Sequence, residues 1–114
     1  LYSAAATLSA GTTNFTTSGE VVGAGYSSGG IELTKVDPTA SGTVGITNFG
    51  TATFTAVSIT ARGGLIYNTT TDGTSSTTNA VCVLDFSADQ TAVAGNFSVS
   101  FPTADGTSAI LRVE

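Results

Sequence analysis

Histidine, tryptophan and methionine are absent from this 114-residue sequence, and cysteine occurs once. Without histidine the chain lacks the usual general base, the commonest metal ligand and the base of a Ser-His-Asp triad. A zinc site built from cysteine and histidine is excluded for the same reason. Asp85 and Asp89 are the nearest carboxylate pair, and their position at a strand end is more typical of turns and caps than of a glycosidase pair. We therefore expect no enzymatic activity, no cofactor and no metal site.

Charged residues are also scarce, at 10% of the chain, whereas an ordinary soluble domain has about 25%. Lys35, Arg62 and Arg112 face eight acidic residues, which gives a net charge of −5. Three cations cannot form a basic patch, so we expect no nucleic-acid binding. A surface of Thr, Ser, Gly and Asn is poorly defended against association, because charge is what keeps proteins apart. The composition therefore predicts a protein that is covered by partners in an assembly.

Cys82 is the single cysteine, so no disulfide can form within the chain. It lies in the apolar run Ala80–Leu84 and is expected to be a buried, inert thiol. The missing disulfides favour assembly in a reducing compartment. No apolar run is long enough to span a membrane, and no signal peptide is recognisable. Because the chain starts with Leu1 rather than Met, we expect that a segment upstream of it is missing.

Alternating apolar side chains dominate the ordered-looking segments and predict β-strands. The strongest alternation is at Asn96–Phe101, and Val57–Ala61 alternates in the same way. Phe54 is out of phase with Val57–Ala61, so we expect a bulge near residues 55–56. Val81–Phe86 is apolar on both faces, which predicts a central strand covered on both sides. Further strands are expected at 31–34, 43–47, 65–67 and 109–113. We predict one β-sandwich domain over residues 1–114, with seven to nine short strands and a jelly roll as one topology of that kind.

Two loops are candidates for protein contacts. The loop Gly23–Gly30 is rich in glycine and contains Tyr26, which fits the edge of a core or an interface anchor equally well. Its glycines are read as tight turns and close backbone approaches rather than as a phosphate-binding loop, since no helix follows. The second loop, Asn68–Asn79, has a hairpin turn signal at its centre. The contact candidates are Tyr26, Gly29, Gly30, Asp72 and Gly73.

Several segments together resemble a family of small structural proteins from tailed-phage particles. The order and spacing of the matching segments agree over most of the chain: Glu20–Gly30, Ala61–Asn68, Ala80–Phe86, Asn96–Pro102 and Ala109–Val113. The chain departs from that family in lacking residues before Leu1 and in having a longer loop at Asn68–Asn79. These departures affect the expected mode of attachment, because termini and loops often make the contacts.

The resemblance implies a non-catalytic component of a bacteriophage particle, assembled in the host cytoplasm and located in the virion. The first expectation is a decoration or cement protein, in the form of a homo-oligomer, that binds the major capsid protein or other virion proteins. Two alternatives stay open: a fibre or adhesin module that recognises a host-surface glycan, and a subunit of a self-assembling β filament. The family brings no set of functional residues to this chain.

Overall fold

A computed structural model describes residues 1–69 and 78–113, and every regular element in these residues is a β-strand. The strands are β1 (Lys35–Ser41), β2 (Val44–Phe49), β3 (Ala52–Tyr67), β4 (Ala80–Val99) and β5 (Leu111–Val113). The predicted all-β class is therefore confirmed. Within the described residues there is no helix with the length and apolar character needed to cross a membrane.

The described residues form five strands instead of the seven to nine predicted, because several predicted short strands are parts of longer ones. β3 runs through the predicted strands Val57–Ala61 and 65–67 without a break. The glycine pair between them does not start a new strand. A β-carbon on Gly63 would lie 2.5 Å from the Leu84 carbonyl oxygen, so glycine here permits a close backbone approach within the sheet. The strand predicted at 31–34 is wrong, since these residues have no regular structure.

The five strands form two sheets, one with the order β1-β2-β5 and one that pairs β3 with β4. In the first sheet both pairings are antiparallel, and β1 has a register shift between Val36 and Thr39. Pro38 lies within that shift, which is a position that tolerates proline because a ladder hydrogen bond is already lost there. The β3–β4 pair is antiparallel as well, since hydroxyl contacts join Thr53 to Ser98 and Thr60 to Thr91.

The predicted bulge in β3 is confirmed. Thr55 and Ala56 are exposed in succession between buried Phe54 and Val57, so the alternation of the strand shifts by one residue. Ala56 has a φ of 52°, and Ala94 on β4 has a φ of 46°. Both alanines are therefore in the left-handed region, which is unfavourable for a residue with a β-carbon and is common at bulges.

The chain divides into two compact units, the first formed by 1–30 with 55–95 and the second by 31–54 with 96–114. Each unit has its own buried apolar side chains. Those of the first unit are Tyr2, Val21, Val57, Ile59, Ala61 and Ile66, and those of the second are Ile46, Ala52, Phe54, Phe97 and Ala109. In the second unit, Asn48 is also buried and donates a hydrogen bond from Nδ2 to the Pro102 carbonyl oxygen.

The start of the chain pairs with β3 in the first unit. Tyr2 donates its amide hydrogen to the Gly63 carbonyl at 2.9 Å, and the Arg62 amide donates to the Tyr2 carbonyl at 2.7 Å. On its other side Tyr2 forms an antiparallel bridge with Glu20. These main-chain contacts fix the residues before the glycine loop relative to β3.

The apolar run Val81–Phe86 of β4 is less buried than the sequence predicts. No residue of Val81–Phe86 is buried, and Cys82 is half-buried rather than fully enclosed. The predicted central strand is therefore wrong, because β4 belongs to a two-stranded sheet and has no second strand beside this run in the described part of the chain. Burial raises the pKa of the Cys82 thiol, which keeps it protonated and unreactive near neutral pH.

Candidate functional site around Glu20

The glycine loop lies directly against the backbone of β3. A β-carbon on Gly23 would be 2.0 Å from the Ser58 carbonyl oxygen, and one on Gly25 would be 2.4 Å from the Ala56 carbonyl oxygen. Between them, the Ala24 carbonyl accepts a hydrogen bond from the Ser58 amide at 2.9 Å. Side chains at positions 23 and 25 would force the two backbones apart. The loop therefore depends on glycine for the close approach that the sequence predicted.

The carboxylate of Glu20 holds the far end of this loop. Its Oε1 accepts hydrogen bonds from the Tyr26 hydroxyl at 3.0 Å and from the Gly29 amide at 2.6 Å. Its Oε2 accepts one from the Ser28 hydroxyl at 2.7 Å. Gly29 and Gly30 have φ values of 92° and 81°, which turn the loop so that the Gly29 amide reaches the carboxylate. One side chain thus collects three donors from a segment six to nine residues further along.

The three tyrosines of the chain all lie in the field of this carboxylate. The Tyr67 hydroxyl donates to the Gly29 carbonyl at 2.8 Å, and its ring stacks on Phe15 at a centroid distance of 4.7 Å. The Tyr2 hydroxyl donates to the Thr16 carbonyl. Burial, then the hydrogen bond to Glu20 and its negative charge, raise the pKa of Tyr26 far above its ordinary value. Burial and the Glu20 charge also raise the pKa values of Tyr2 and Tyr67.

Three of the five predicted contact residues come together here. Tyr26, Gly29 and Gly30 all belong to the loop that Glu20 organises, whereas Asp72 and Gly73 lie outside the described residues. Tyr26 is half-buried and its hydroxyl is engaged with Glu20, so the side chain acts at least in part as an internal support. Whether the loop also contacts another protein stays a prediction.

Glu20 is the residue that sequence reasoning missed. Glu20 begins the resembling segment Glu20–Gly30, but the sequence alone indicates no role for it. The available signal was chemical: a tight glycine turn leaves backbone amides that need acceptors. The Gly30 amide donates to the Ser27 carbonyl, whereas the Gly29 amide donates to the Glu20 carboxylate. Glu20 and Glu32 are the carboxylates closest to the loop in sequence. Choosing between them requires the three-dimensional path of the loop.

The carboxylates considered as a catalytic pair have separate structural partners. Asp85 accepts a hydrogen bond from the Ser87 amide at 2.8 Å, and Ser87 has a φ of 65°. Asp89 forms an exposed ion pair with Arg62 at 3.7 Å. In residues 1–69 and 78–113 there is no group of three or more Asp, Glu, Cys or His side chains arranged to hold a metal ion. The described contacts thus support turn and surface roles for these two residues.

Two large apolar side chains of the first unit are almost fully exposed, Val22 at 95% and Val93 at 80%. Each is next in sequence to a residue that contacts Ser58 of β3. Gly23 lies against the Ser58 carbonyl, and the Ala94 amide donates to the Ser58 hydroxyl oxygen at 2.9 Å. We call Val22 and Val93 the valine pair. Val22 directly precedes the loop that Glu20 holds, and Val93 is on β4.

Comparisons with models of protein families, with curated proteins and with solved structures found no match for this chain.

Proposed function

We propose that this chain is a structural protein of a bacteriophage particle, a decoration or cement protein that binds the capsid lattice and stabilises it through protein–protein contacts. The proposal includes a β-sandwich arrangement of the two sheets. It is supported by the resemblance of several segments to small phage virion proteins and by the scarcity of charge. Charged residues are depleted in the centres of protein interfaces, so a surface with few of them is suited to being covered.

The observation that carries the proposal is the exposure of the valine pair, of which Val22 directly precedes the loop that Glu20 holds. Exposure of 95% and 80% for two valines costs solvation free energy that burial in an interface would recover, at about 1.5 to 3 kcal/mol per side chain. The Glu20 hydrogen bonds fix the adjacent loop before any partner arrives. Because a preorganised loop loses little conformational entropy on binding, more of the interface energy remains as affinity.

The mechanism is mass action. A protein that binds the assembled lattice and not its dissociated subunits shifts the equilibrium towards the lattice, by an amount set by its concentration relative to its dissociation constant. Many copies on one particle would multiply this effect. No chemical step is needed, which agrees with the structural roles that the described carboxylates have.

The test is binding to phage capsids that lack this protein, followed by a measurement of their thermal survival. We expect the chain to bind along the lattice and to raise the temperature at which the capsids open. Val22→Lys should weaken binding, whereas Ala104→Lys, which adds the same charge at an exposed position of the second unit, should not. Absence of binding and of added survival would contradict the proposal.

A density map of whole particles separates this function from its alternative. Copies spread over the whole lattice would support decoration. A few copies at the tail or at fibres would instead support an adhesin.

A further inference from the structure

Ser58 of β3 contacts the main chain next to both members of the valine pair. Its amide donates to the Ala24 carbonyl at 2.9 Å, and a β-carbon on Gly23 would lie 2.0 Å from its carbonyl oxygen. Its hydroxyl oxygen accepts a hydrogen bond from the Ala94 amide of β4, also at 2.9 Å. The main chain of Ser58 therefore faces the glycine loop, and its side chain reaches the neighbouring strand.

The direction in which Val93 projects depends on the peptide unit that joins it to Ala94. Ala94 has a φ of 46°, which a residue with a β-carbon keeps only where its surroundings impose it. Ser87, which is also left-handed, donates its amide hydrogen to the Asp85 carboxylate on the same strand, whereas the acceptor for Ala94 comes from β3. The hydrogen bond from Ala94 to Ser58 thus fixes the peptide plane that follows Val93. Backbone irregularities of this kind re-aim the neighbouring side chain.

The direction of Val22 is fixed by main-chain contacts on both sides of it. The Val21 amide donates to the Leu1 carbonyl at 3.1 Å, and the Val21 side chain is buried. On the other side, Gly23 packs against the Ser58 carbonyl without room for a side chain. A residue held between two such neighbours has little freedom to turn inward, so Val22 keeps its exposed position.

We infer that Ser58 is a positioning residue for the valine pair. Its main chain holds the segment that carries Val22, and its hydroxyl holds the left-handed backbone that follows Val93. This inference rests on the proposed function for its purpose and deepens it, by naming the group that keeps both valines presented to a partner. Backbone that is fixed beforehand loses less conformational entropy on binding than backbone that becomes ordered with the partner. The two contributions separate on substitution, because Ser58→Ala removes the hydroxyl and keeps the main chain.

The first experiment uses the free chain and follows the backbone at Ala94 by NMR. The vicinal coupling between the amide and α hydrogens reports φ, and amide hydrogen exchange reports whether the hydrogen bond persists. Ser58→Ala should speed exchange of the Ala94 amide and should change both its φ and the methyl shifts of Val93, because the amide loses its hydroxyl acceptor. Ser58→Thr keeps a hydroxyl oxygen at the same position and should preserve the original values.

The matched control is Thr53→Ala, which removes another hydroxyl contact between the same two strands, at 3.1 Å from Ser98. It should leave the signals of Ala94 and Val93 unchanged. If a folded Ser58→Ala chain also kept the coupling, exchange rate and methyl shifts of the unchanged chain, the inference would be overturned.

The second experiment measures binding to phage capsids that lack this protein. Ser58→Ala should raise the dissociation constant about fivefold, which corresponds to the loss of one hydrogen bond of ordinary strength. Ser58→Thr and Thr53→Ala should bind like the unchanged chain. In a Val93→Ala background the effect of Ser58→Ala should disappear, because the Ser58 hydroxyl acts through Val93. An equal loss in both backgrounds would show that the hydroxyl acts in another way and would contradict the positioning role.

Failure of this inference and failure of the proposed function can be told apart, because the NMR measurement needs no capsid. Changes at Ala94 and Val93 in Ser58→Ala, together with no capsid binding by the unchanged chain, would support the role of Ser58 in fixing Val93 and contradict decoration. Capsid binding that Val22→Lys weakens and that Ser58→Ala leaves unchanged would support decoration and contradict the positioning role.

Discussion

The glycine loop of the first unit and the turn at 105–108 of the second are both organised by one carboxylate that accepts three hydrogen bonds. Asp105 accepts from the Thr107 amide and hydroxyl, both at 2.8 Å, and from the Ser108 amide at 2.7 Å. All its donors lie two or three residues away, so the turn is a local motif. The donors to Glu20 lie six to nine residues away, and they include a half-buried tyrosine.

This difference in the sequence separation between carboxylate and donors has a consequence for stability. A local turn forms and breaks without disturbing the rest of its unit, so its loss affects little else. The Glu20 contacts instead connect the loop to residues that pair with β3 and to the stacked ring of Tyr67. We therefore expect changes in the Glu20 loop to affect the stability of the first unit more strongly than equivalent changes affect the second.

The largest expected effect comes from matched glycine substitutions in the two loops. Gly23→Ala would place a β-carbon 2.0 Å from a backbone oxygen of β3, which cannot move without the strand. A β-carbon on Gly106 would lie 3.0 Å from the Ser41 hydroxyl oxygen, which can rotate away, and 3.3 Å from the Ser41 β-carbon, which needs to shift only slightly. We expect Gly23→Ala to cost about 3 kcal/mol or more and Gly106→Ala less than about 1 kcal/mol, measured by urea unfolding. Equal losses of unfolding free energy in the two variants would refute the expected difference between the two loops.

The next effect concerns the carboxylates themselves. Glu20→Gln keeps the size of the side chain and removes the charge, so one of its three donors loses an acceptor and the others bind a weaker one. We expect a loss of about 2 kcal/mol in the free energy of unfolding. Asp105→Asn should cost clearly less, because its turn is exposed and water can replace the lost contacts. The comparison would be reversed if Asp105→Asn proved the more damaging change in urea unfolding.

A third effect is expected at alkaline pH. The pKa of Tyr26 is raised above its unfolded value of 10.0, mainly by burial and then by Glu20. Deprotonation is therefore harder in the folded protein. The stability that this shift contributes is fully present below pH 10 and is lost as the pH rises above that value.

The measurement is thermal unfolding between pH 8 and 11.5, with phenolate absorbance recorded in parallel. Tyr26→Phe should show a weaker decline in stability above pH 10 than the unchanged chain. Some decline should remain, because the pKa values of Tyr2 and Tyr67 are raised as well. If the two chains declined in parallel, Tyr26 would not be the group responsible.

The sequence predicts the strand pattern of β3 better than the contacts of Glu20, for physical reasons. Alternation at Val57–Ala61 and the phase shift at Phe54 are local patterns, and the structure confirms both. The Glu20 contacts depend on how a loop folds back over nine residues, which no local pattern encodes. The error at Val81–Phe86 has a different origin. The apolar pattern is typical of a strand that is covered on both faces, but it depends on the side chains alone and does not encode how many strands the sheet has, which is two here.

The smallest effect on stability is expected at acidic pH, in the turn at 105–108. Hydrogen bonds from Thr107, and after these from the Ser108 amide, lower the pKa of Asp105 below its unfolded value of 3.8. A lowered pKa contributes stability above the unfolded value, and this contribution is lost as the pH falls through the folded one. The carboxyl is exposed, so solvent screens the effect and the change should be slight.

The measurement compares the free energy of unfolding of Asp105→Asn with that of the unchanged chain between pH 2 and 5. The two curves should converge as the pH falls, because protonation removes the same acceptor charge that the substitution removes. Curves that stay equally far apart down to pH 2 would mean that the turn acts through its shape and not through the charge of Asp105.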